Sequence, residues 1–154
     1  SDHPRGELWT PEPWDVPPPE EIAAPTGESK LSWEVRRVTG WGEGGQGRVW
    51  MRELVPFVAG QEISPLLRAA LSADFANPLV NSGPAGLAFI NADLTMYIAR
   101  DPVGDWIGME ASGHLGSGGV AVGSGWLHDR LGRFGQSSAA AMPDGRLAQQ
   151  LPGT

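Results

Sequence analysis

The sequence predicts an α+β domain in which an antiparallel sheet of five or six strands wraps around one central helix. One helical pattern lies among several strand-like segments, and the four segments that follow it are separated by short turn sequences. A single helix among antiparallel strands buries its own apolar face and that of the sheet only if the sheet curves around it.

The first half of this pattern consists of two strands and the helix. Residues 31–40 and 47–57 are predicted as strands joined by the glycine-rich stretch WGEGGQG. The helix is predicted at about residues 64–76, because Ser64 suits the N-cap and Pro65 suits the first helical position. Apolar residues recur along it at helical spacing, namely Leu66, Leu67, Ala70, Leu71 and Phe75.

Four strands are predicted after the helix. Alternation within residues 86–100 puts one apolar and one polar set on opposite faces: Leu94, Met96 and Ile98 against Asn91, Asp93, Thr95 and Tyr97. The other three strands are predicted within residues 105–115, 118–129 and 132–142. Two strands, one helix and four strands in this order are the plan of the hotdog fold.

The chain divides into an arm, a folded domain and a tail. Residues 1–28 hold seven of the 14 prolines and seven acidic residues, and this composition favours an extended linker over a core. An indole rarely stays in water. The presence of Trp9 and Trp14 in the arm therefore predicts that the arm is fastened to the domain or to a neighbour. The hotdog domain is predicted at residues 29–143 and a flexible tail at residues 144–154.

Charge and composition exclude several classes of function. A net charge of −7 argues against nucleic acid or an anionic membrane as partner. The absence of cysteine excludes disulfides, thiolate metal sites and cysteine nucleophiles. His114 and His128 lack acidic partners at metal-binding spacing, so no metal site is predicted. Because no apolar run or leader of membrane type occurs, a cytoplasmic domain without a membrane span is predicted.

Three motifs occur in order between about residues 30 and 142: a helix ending in ADF and Asn, then FIN-x-DLT, then AR-x-P-x-G-x-W. This combination resembles the C-terminal half of double-hotdog acyl-CoA thioesterases, the thioesterase II-like group. In that family a proline-rich linker joins two hotdogs, and residues 1–28 resemble it. The resemblance implies a second hotdog as partner, either another copy in a homodimer or a preceding half.

The resemblance implies hydrolysis of an acyl-CoA thioester by water, with no cofactor and no covalent intermediate. In the family the water is held by an Asp on the helix, a hydroxyl residue on the next strand and a Gln on the last strand. Asp74 matches the Asp, whereas Asn91 and Ala139 stand at the other two positions. Ser137 is the predicted substitute for the Gln, because it shares a strand face with Ala139 while Gln136 lies at an odd offset.

Each of these residues also has a structural interpretation. Asp74 suits a base for catalysis or a cap for a following turn. If the helix continues, Asp74, Asn77 and Asn81 form a polar stripe on one face, and we predict Asn77 as a substrate-binding residue. Asn91 suits water positioning or the satisfaction of a loop backbone.

Arg100 is the second predicted substrate-binding residue. Its guanidinium suits a bidentate contact with a CoA phosphate. The alternative is a surface salt bridge with Asp101 or Asp105.

Two functions therefore follow from the sequence. One is an acyl-CoA thioesterase of lipid metabolism, in which Asp74 is the general base, Asn91 positions the water and Ser137 replaces the missing Gln. The other is a degenerate hotdog half that binds acyl-CoA or serves as a dimerisation scaffold for an active partner.

Overall fold

A computed structural model describes residues 12–25, 32–40, 46–83 and 86–144. Two strands come first, β1 (Trp33–Thr39) and β2 (Arg48–Glu53), followed by helices α1 (Pro65–Ala73) and α2 (Ala76–Asn81). A short pair, β3 (Ser82–Gly83) and β4 (Gly86–Leu87), leads to the last four strands. These are β5 (Phe89–Ile98), β6 (Ile107–Ser117), β7 (Val120–Asp129) and β8 (Gly132–Pro143).

Within the described residues the main sheet has six strands in the order β1-β2-β6-β7-β8-β5, and every neighbouring pair is antiparallel. The two helices pack on one face, which we call the inner face, and the opposite face is the outer face. The predicted α+β architecture of a sheet around one helical layer is confirmed. Strand β5, the first strand of this sheet after the helices, forms one of its edges.

The core lies between the helices and the inner face. Alternate residues of the central strands point inward and are fully buried, among them Met51, Ile107 and Leu127. Small residues on the helices, such as Ala69 and Ala76, let the helical layer approach the sheet closely. Among the described residues, no helix combines the length and the apolar character of a membrane span.

The helix begins as predicted and ends differently. Ser64 caps it, because its Oγ accepts a hydrogen bond of 3.2 Å from the amide of Leu67. The helix is then interrupted at Asp74 and Phe75 and resumes as α2 through Asn81. The predicted end at residue 76 is therefore too early, because the apolar face continues into α2, where Ala76 and Leu79 are buried in the core.

The described part of the arm, residues 12–25, lies across the outer face. The Trp14 ring stacks on His128 at 4.4 Å, and the Trp14 indole N–H donates to Glu110. Trp14 lies flat against the sheet because Gly108 has no side chain; a Cβ there would come within 2.2 Å of the ring. The prediction that Trp14 fastens the arm to the domain is confirmed, while Trp9 lies outside the described residues.

Burial beneath Trp14 changes the acidity of His128. The imidazole is 3 % exposed, and this burial lowers the pKa of His128 to about 4. The nearby charges of Arg133 and Arg48 contribute to this lowering of the pKa, whereas Glu110, 3.2 Å from the ring, opposes it. His128 is therefore neutral in the folded protein at pH 7.

The free energy of unfolding is expected to fall by about 1–2 kcal/mol between pH 7 and pH 5. In this range the unfolded chain binds a proton at His128, whose ordinary pKa is 6.5, whereas the folded chain binds it only near the lowered pKa of about 4. The carboxyl groups of Glu34 and Asp129 have lowered pKa values. The stability that these carboxylates contribute is therefore lost only when the pH falls below about 4.5. Urea unfolding of the wild type and of His128→Gln at both pH values checks this. An equal pH slope in the two proteins would contradict it.

Candidate active site

Asp74 lies at the interruption between α1 and α2. It has helical backbone angles (φ −61°, ψ −23°) and an exposed side chain. A carboxylate at the end of α1 faces the negative end of the helix dipole. A hydrogen-bond donor near this carboxylate therefore stabilises the position.

A β-bulge in β5 supplies that donor. Asn91 pairs with Ala141 of β8, whereas Asp93 pairs with the next residue, Ala140, so Ala92 is an extra residue in the ladder. Because Ala141 belongs to the inner face, the bulge turns Asn91 toward the helices. The prediction that Asn91 shares a face with Asp93 was wrong, since strict alternation does not survive an inserted residue.

The bulge joins the two candidate residues. Asn91 Nδ2 donates a hydrogen bond of 2.6 Å to Asp74 Oδ1. This bond compensates the carboxylate at the end of α1 and leaves Asp74 Oδ2 for another donor. The same contact fixes the orientation of the Asn91 amide. In the reverse orientation the amide oxygen would lie against the Asp74 carboxylate oxygen, so that two acceptors would face each other.

Ser137 and Ala139 both lie on the inner face of β8, as predicted. Both are fully buried, and the Ser137 hydroxyl donates a hydrogen bond of 2.9 Å to the carbonyl of Ala73, the residue before Asp74. The bulge of β8 lies at Phe134, opposite the step from Leu127 to His128 of β7. Gln136 follows this bulge, so it keeps the face opposite to Ser137, as the odd offset predicts.

The polar stripe predicted along the helix is present. Asn77 is 3 % exposed and donates to the Phe89 carbonyl at 3.1 Å. Its Oδ1 accepts a 2.7 Å hydrogen bond from Asn81, which in turn contacts His114. Both the nitrogen and the oxygen of the Asn77 amide are therefore hydrogen-bonded inside the protein.

Arg100 lies at the other end of β5, about 30 Å from Asn91 along an extended strand. Its guanidinium binds the buried carboxylate of Asp129 through two hydrogen bonds, of 2.5 and 2.8 Å. The structure thus provides a salt bridge, but with Asp129 in place of the predicted Asp101 or Asp105. Burial would raise the pKa of Asp129, yet bonds from Arg100 and two backbone amides hold the pKa below its usual value.

A family model described as the acyl-CoA thioesterase C-terminal domain matches residues 9–141, most of the chain. The chain belongs to this family. The predicted family membership is confirmed, and the match also includes most of the arm.

Solved structures show that this acyl-CoA thioesterase C-terminal domain has the predicted hotdog fold. A protein of unknown function with a hot dog fold from Alicyclobacillus acidocaldarius is 16 % identical, with a TM-score of 0.64, over 94 % of this chain and 58 % of that one. A tesB protein from Mycobacterium avium subs paratuberculosis is 19 % identical, with a TM-score of 0.62, over 90 % and 56 %.

An acyl-CoA thioesterase II from Mycobacterium marinum is 18 % identical, with a TM-score of 0.55, and the match covers 92 % of the domain and 59 % of that chain. The domain thus spans less than three-fifths of the length of each of these three proteins. No curated protein sequence matches it.

Sequence reasoning missed two polar residues of the thioesterase domain. Asp129 was not singled out, because the residue it binds lies 29 positions away along the chain. His114 was considered only as a metal ligand, although a bulge at Ser112 turns it to the inner face. The described residues contain no group of three acidic, histidine or cysteine side chains placed to hold a metal ion.

Proposed function

We propose that this domain hydrolyses an acyl-CoA thioester with a water molecule activated by Asp74. The observation that carries the proposal is the 2.6 Å hydrogen bond between Asn91 and Asp74, formed across a bulge that turns Asn91 inward. Bulges next to active sites commonly re-aim a side chain in this way. Membership of the acyl-CoA thioesterase C-terminal domain family supports the same chemistry.

In this proposal Asp74 Oδ2 accepts a proton from the water as the water oxygen attacks the thioester carbonyl carbon. The tetrahedral intermediate then collapses, the carbon–sulfur bond breaks, and the thiolate leaves and takes up a proton. The products are the free acid and CoA. Asn91 holds the carboxylate by its Oδ1, so that Oδ2 keeps a fixed direction toward the water.

The other predicted residues take supporting roles. Ser137 holds the Ala73 carbonyl, and we propose that it fixes the peptide before Asp74 in place of acting on the water. Substrate contacts of Asn77 and Arg100 stay predictions, and the internal bonds of both side chains favour a role in the fold. We also propose that the protein acts in the cytoplasm.

Release of free thiol from a panel of acyl-CoA substrates of increasing chain length tests this function. We expect turnover that depends on chain length and needs no added cofactor. If no member of the panel is hydrolysed above the rate of the uncatalysed reaction, the proposal is wrong for this domain by itself.

A degenerate half is the second candidate function. The observation that favours it is Ala139, which is fully buried and presents no polar group at the position where the family carries Gln. A domain of this kind binds acyl-CoA without turnover. Equilibrium binding of a non-hydrolysable acyl-CoA thioether, combined with absent hydrolysis, identifies this case.

We propose a second hotdog domain as partner, either another copy or a preceding half. Strand β5 pairs only with β8 among the described residues, and its Leu94 and Tyr97 are 36 % and 64 % exposed. An exposed edge strand of ten residues readily accepts another strand. The Asp74 side chain is exposed, so an adjoining domain would supply a wall for the substrate.

If the partner is another copy of this chain, the protein is expected to sediment as a homodimer, at twice the monomer mass of 16.3 kDa. Sedimentation equilibrium at several protein concentrations measures this mass directly. A monomer at all concentrations would contradict the homodimer and leave a preceding half as the proposed partner.

A further inference from the structure

A chain of hydrogen bonds connects β6 to β5 through α2. His114 Nδ1 lies 2.7 Å from Asn81 Oδ1, Asn81 Nδ2 donates to Asn77 Oδ1 at 2.7 Å, and Asn77 Nδ2 donates to the Phe89 carbonyl at 3.1 Å. Asn77 and Asn81 are only 3 % and 6 % exposed. Burying two amides is costly unless they are bonded, so their mutual orientation is tightly defined.

The direction of this chain fixes the tautomer of His114. The Phe89 carbonyl accepts only, so Asn77 presents its NH₂ group there and its oxygen to Asn81. Asn81 must then donate to Asn77 and present its own oxygen to the imidazole. His114 therefore carries a hydrogen on Nδ1 and leaves Nε2 without one when the ring is neutral.

Local features of the sheet bring these groups together. A bulge at Ser112 lets His114 pair with Gly123 and face the helices. Gly123 has no side chain to separate the two layers; a Cβ there would lie 1.9 Å from Val80 and 3.2 Å from Asn81 Oδ1. The close approach of α2 to β7 is thus what places Asn81 beside His114.

The far end of the chain lies next to the candidate catalytic pair. Asn77 is three residues after Asp74 on the same helical face, and Phe89 is two residues before Asn91 on the same strand. The bond from Asn77 to Phe89 and the bond from Asn91 to Asp74 are therefore neighbouring bridges between the helical layer and β5. A change in the first bridge alters the spacing of the second.

We propose that His114 is a positioning residue of the active site. It orients Asn81, Asn81 orients Asn77, and Asn77 sets the distance between the helical layer and β5 at which Asp74 meets Asn91. This role rests on the proposed thioester hydrolysis. His114 itself does not contact the reacting atoms.

Two variants separate this role from a general effect on folding. His114→Leu removes the donor to Asn81, and we expect kcat to fall about tenfold with KM changed less than twofold, because the reacting groups are misplaced. His114→Asn keeps a donor near the position of Nδ1 and is expected to restore kcat to within about threefold of wild type. Leu115→Ala, a control at a 76 % exposed side chain on the same strand, leaves kcat unchanged. Equal kcat in His114→Leu and wild type would overturn the proposal.

Nuclear magnetic resonance tests the same chain without activity. Long-range ¹⁵N correlation spectra at pH 8 are expected to show the Nδ1–H tautomer of His114, and His114→Leu is expected to shift the side-chain amide signals of both Asn77 and Asn91. The Nε2–H tautomer, or an unshifted Asn91 signal, would overturn the proposal. If the wild type does not hydrolyse thioesters, the proposed function fails, and these spectra still decide whether His114 positions Asn91.

Discussion

Replacing Asp74 with asparagine is expected to lower kcat for acyl-CoA hydrolysis by at least about 100-fold, the usual loss when a general base is removed. The substitution preserves shape and keeps an oxygen that accepts from Asn91, so the 2.6 Å contact survives while the proton acceptor at Oδ2 is lost. KM is expected to change little, because the carboxylate is assigned to the water and not to the substrate. Continuous detection of free thiol at saturating substrate measures the effect.

Asp93→Asn is the matched control for this experiment. Asp93 is an exposed carboxylate on the same strand as Asn91. It pairs with Ala140 and lies on the outer face of the sheet. Its substitution changes the net charge by the same amount and is expected to leave kcat within about twofold of wild type. Turnover of the Asp74 variant at the wild-type rate would assign Asp74 to helix capping.

Replacing Asp129 with alanine is expected to lower the free energy of unfolding by about 3–5 kcal/mol. The carboxylate is fully buried and accepts two bonds from Arg100 and one each from the amides of Val103 and Leu131. Its removal takes the charged partner from a partly buried guanidinium, which keeps only the backbone carbonyls of Asp101 and Gly132 as acceptors. It also takes the acceptor from two backbone amides, and each lost bond has its own desolvation cost. Urea unfolding at pH 7, followed by tryptophan fluorescence, measures the loss.

Asp101→Ala is the control for stability, because Asp101 is exposed and lies next to Arg100 in the chain. We expect its free energy of unfolding to stay within about 0.5 kcal/mol of wild type. A loss below 1 kcal/mol for Asp129→Ala would contradict the structural role of this ion pair. Arg100 would then be available for the predicted contact with a CoA phosphate.

The order of the elements was predictable because apolar periodicity is a local signal. Leu94, Met96 and Ile98 do lie on the inner face, since each pairs with an inward residue or a glycine of β8. Ser64 caps the helix as its side-chain chemistry predicts. These features depend on neighbours a few residues away, and the sequence displays those neighbours directly.

The details of the candidate site were harder to predict because they depend on register between distant segments. The bulge at Ala92 reverses the face of Asn91, and no glycine or proline marks it. The interruption at Asp74 and Phe75 has a local cause in Pro78, which has no amide hydrogen for the carbonyl of Asp74 four residues earlier. The Ser137 contact that supports the interruption, however, comes from 64 positions away. The ion pair of Arg100 likewise depends on the turn that brings Asp129 beside it.

A double-mutant cycle on Asp74 and Asn91 tests the central claim most directly. We measure kcat for acyl-CoA hydrolysis in the wild type, Asp74→Asn, Asn91→Ala and the double variant. Because Asn91 is proposed to act through the carboxylate it binds, the double variant is expected to be no slower than Asp74→Asn alone. Losses that multiply would show that the two residues act independently and would contradict the catalytic unit proposed for this site.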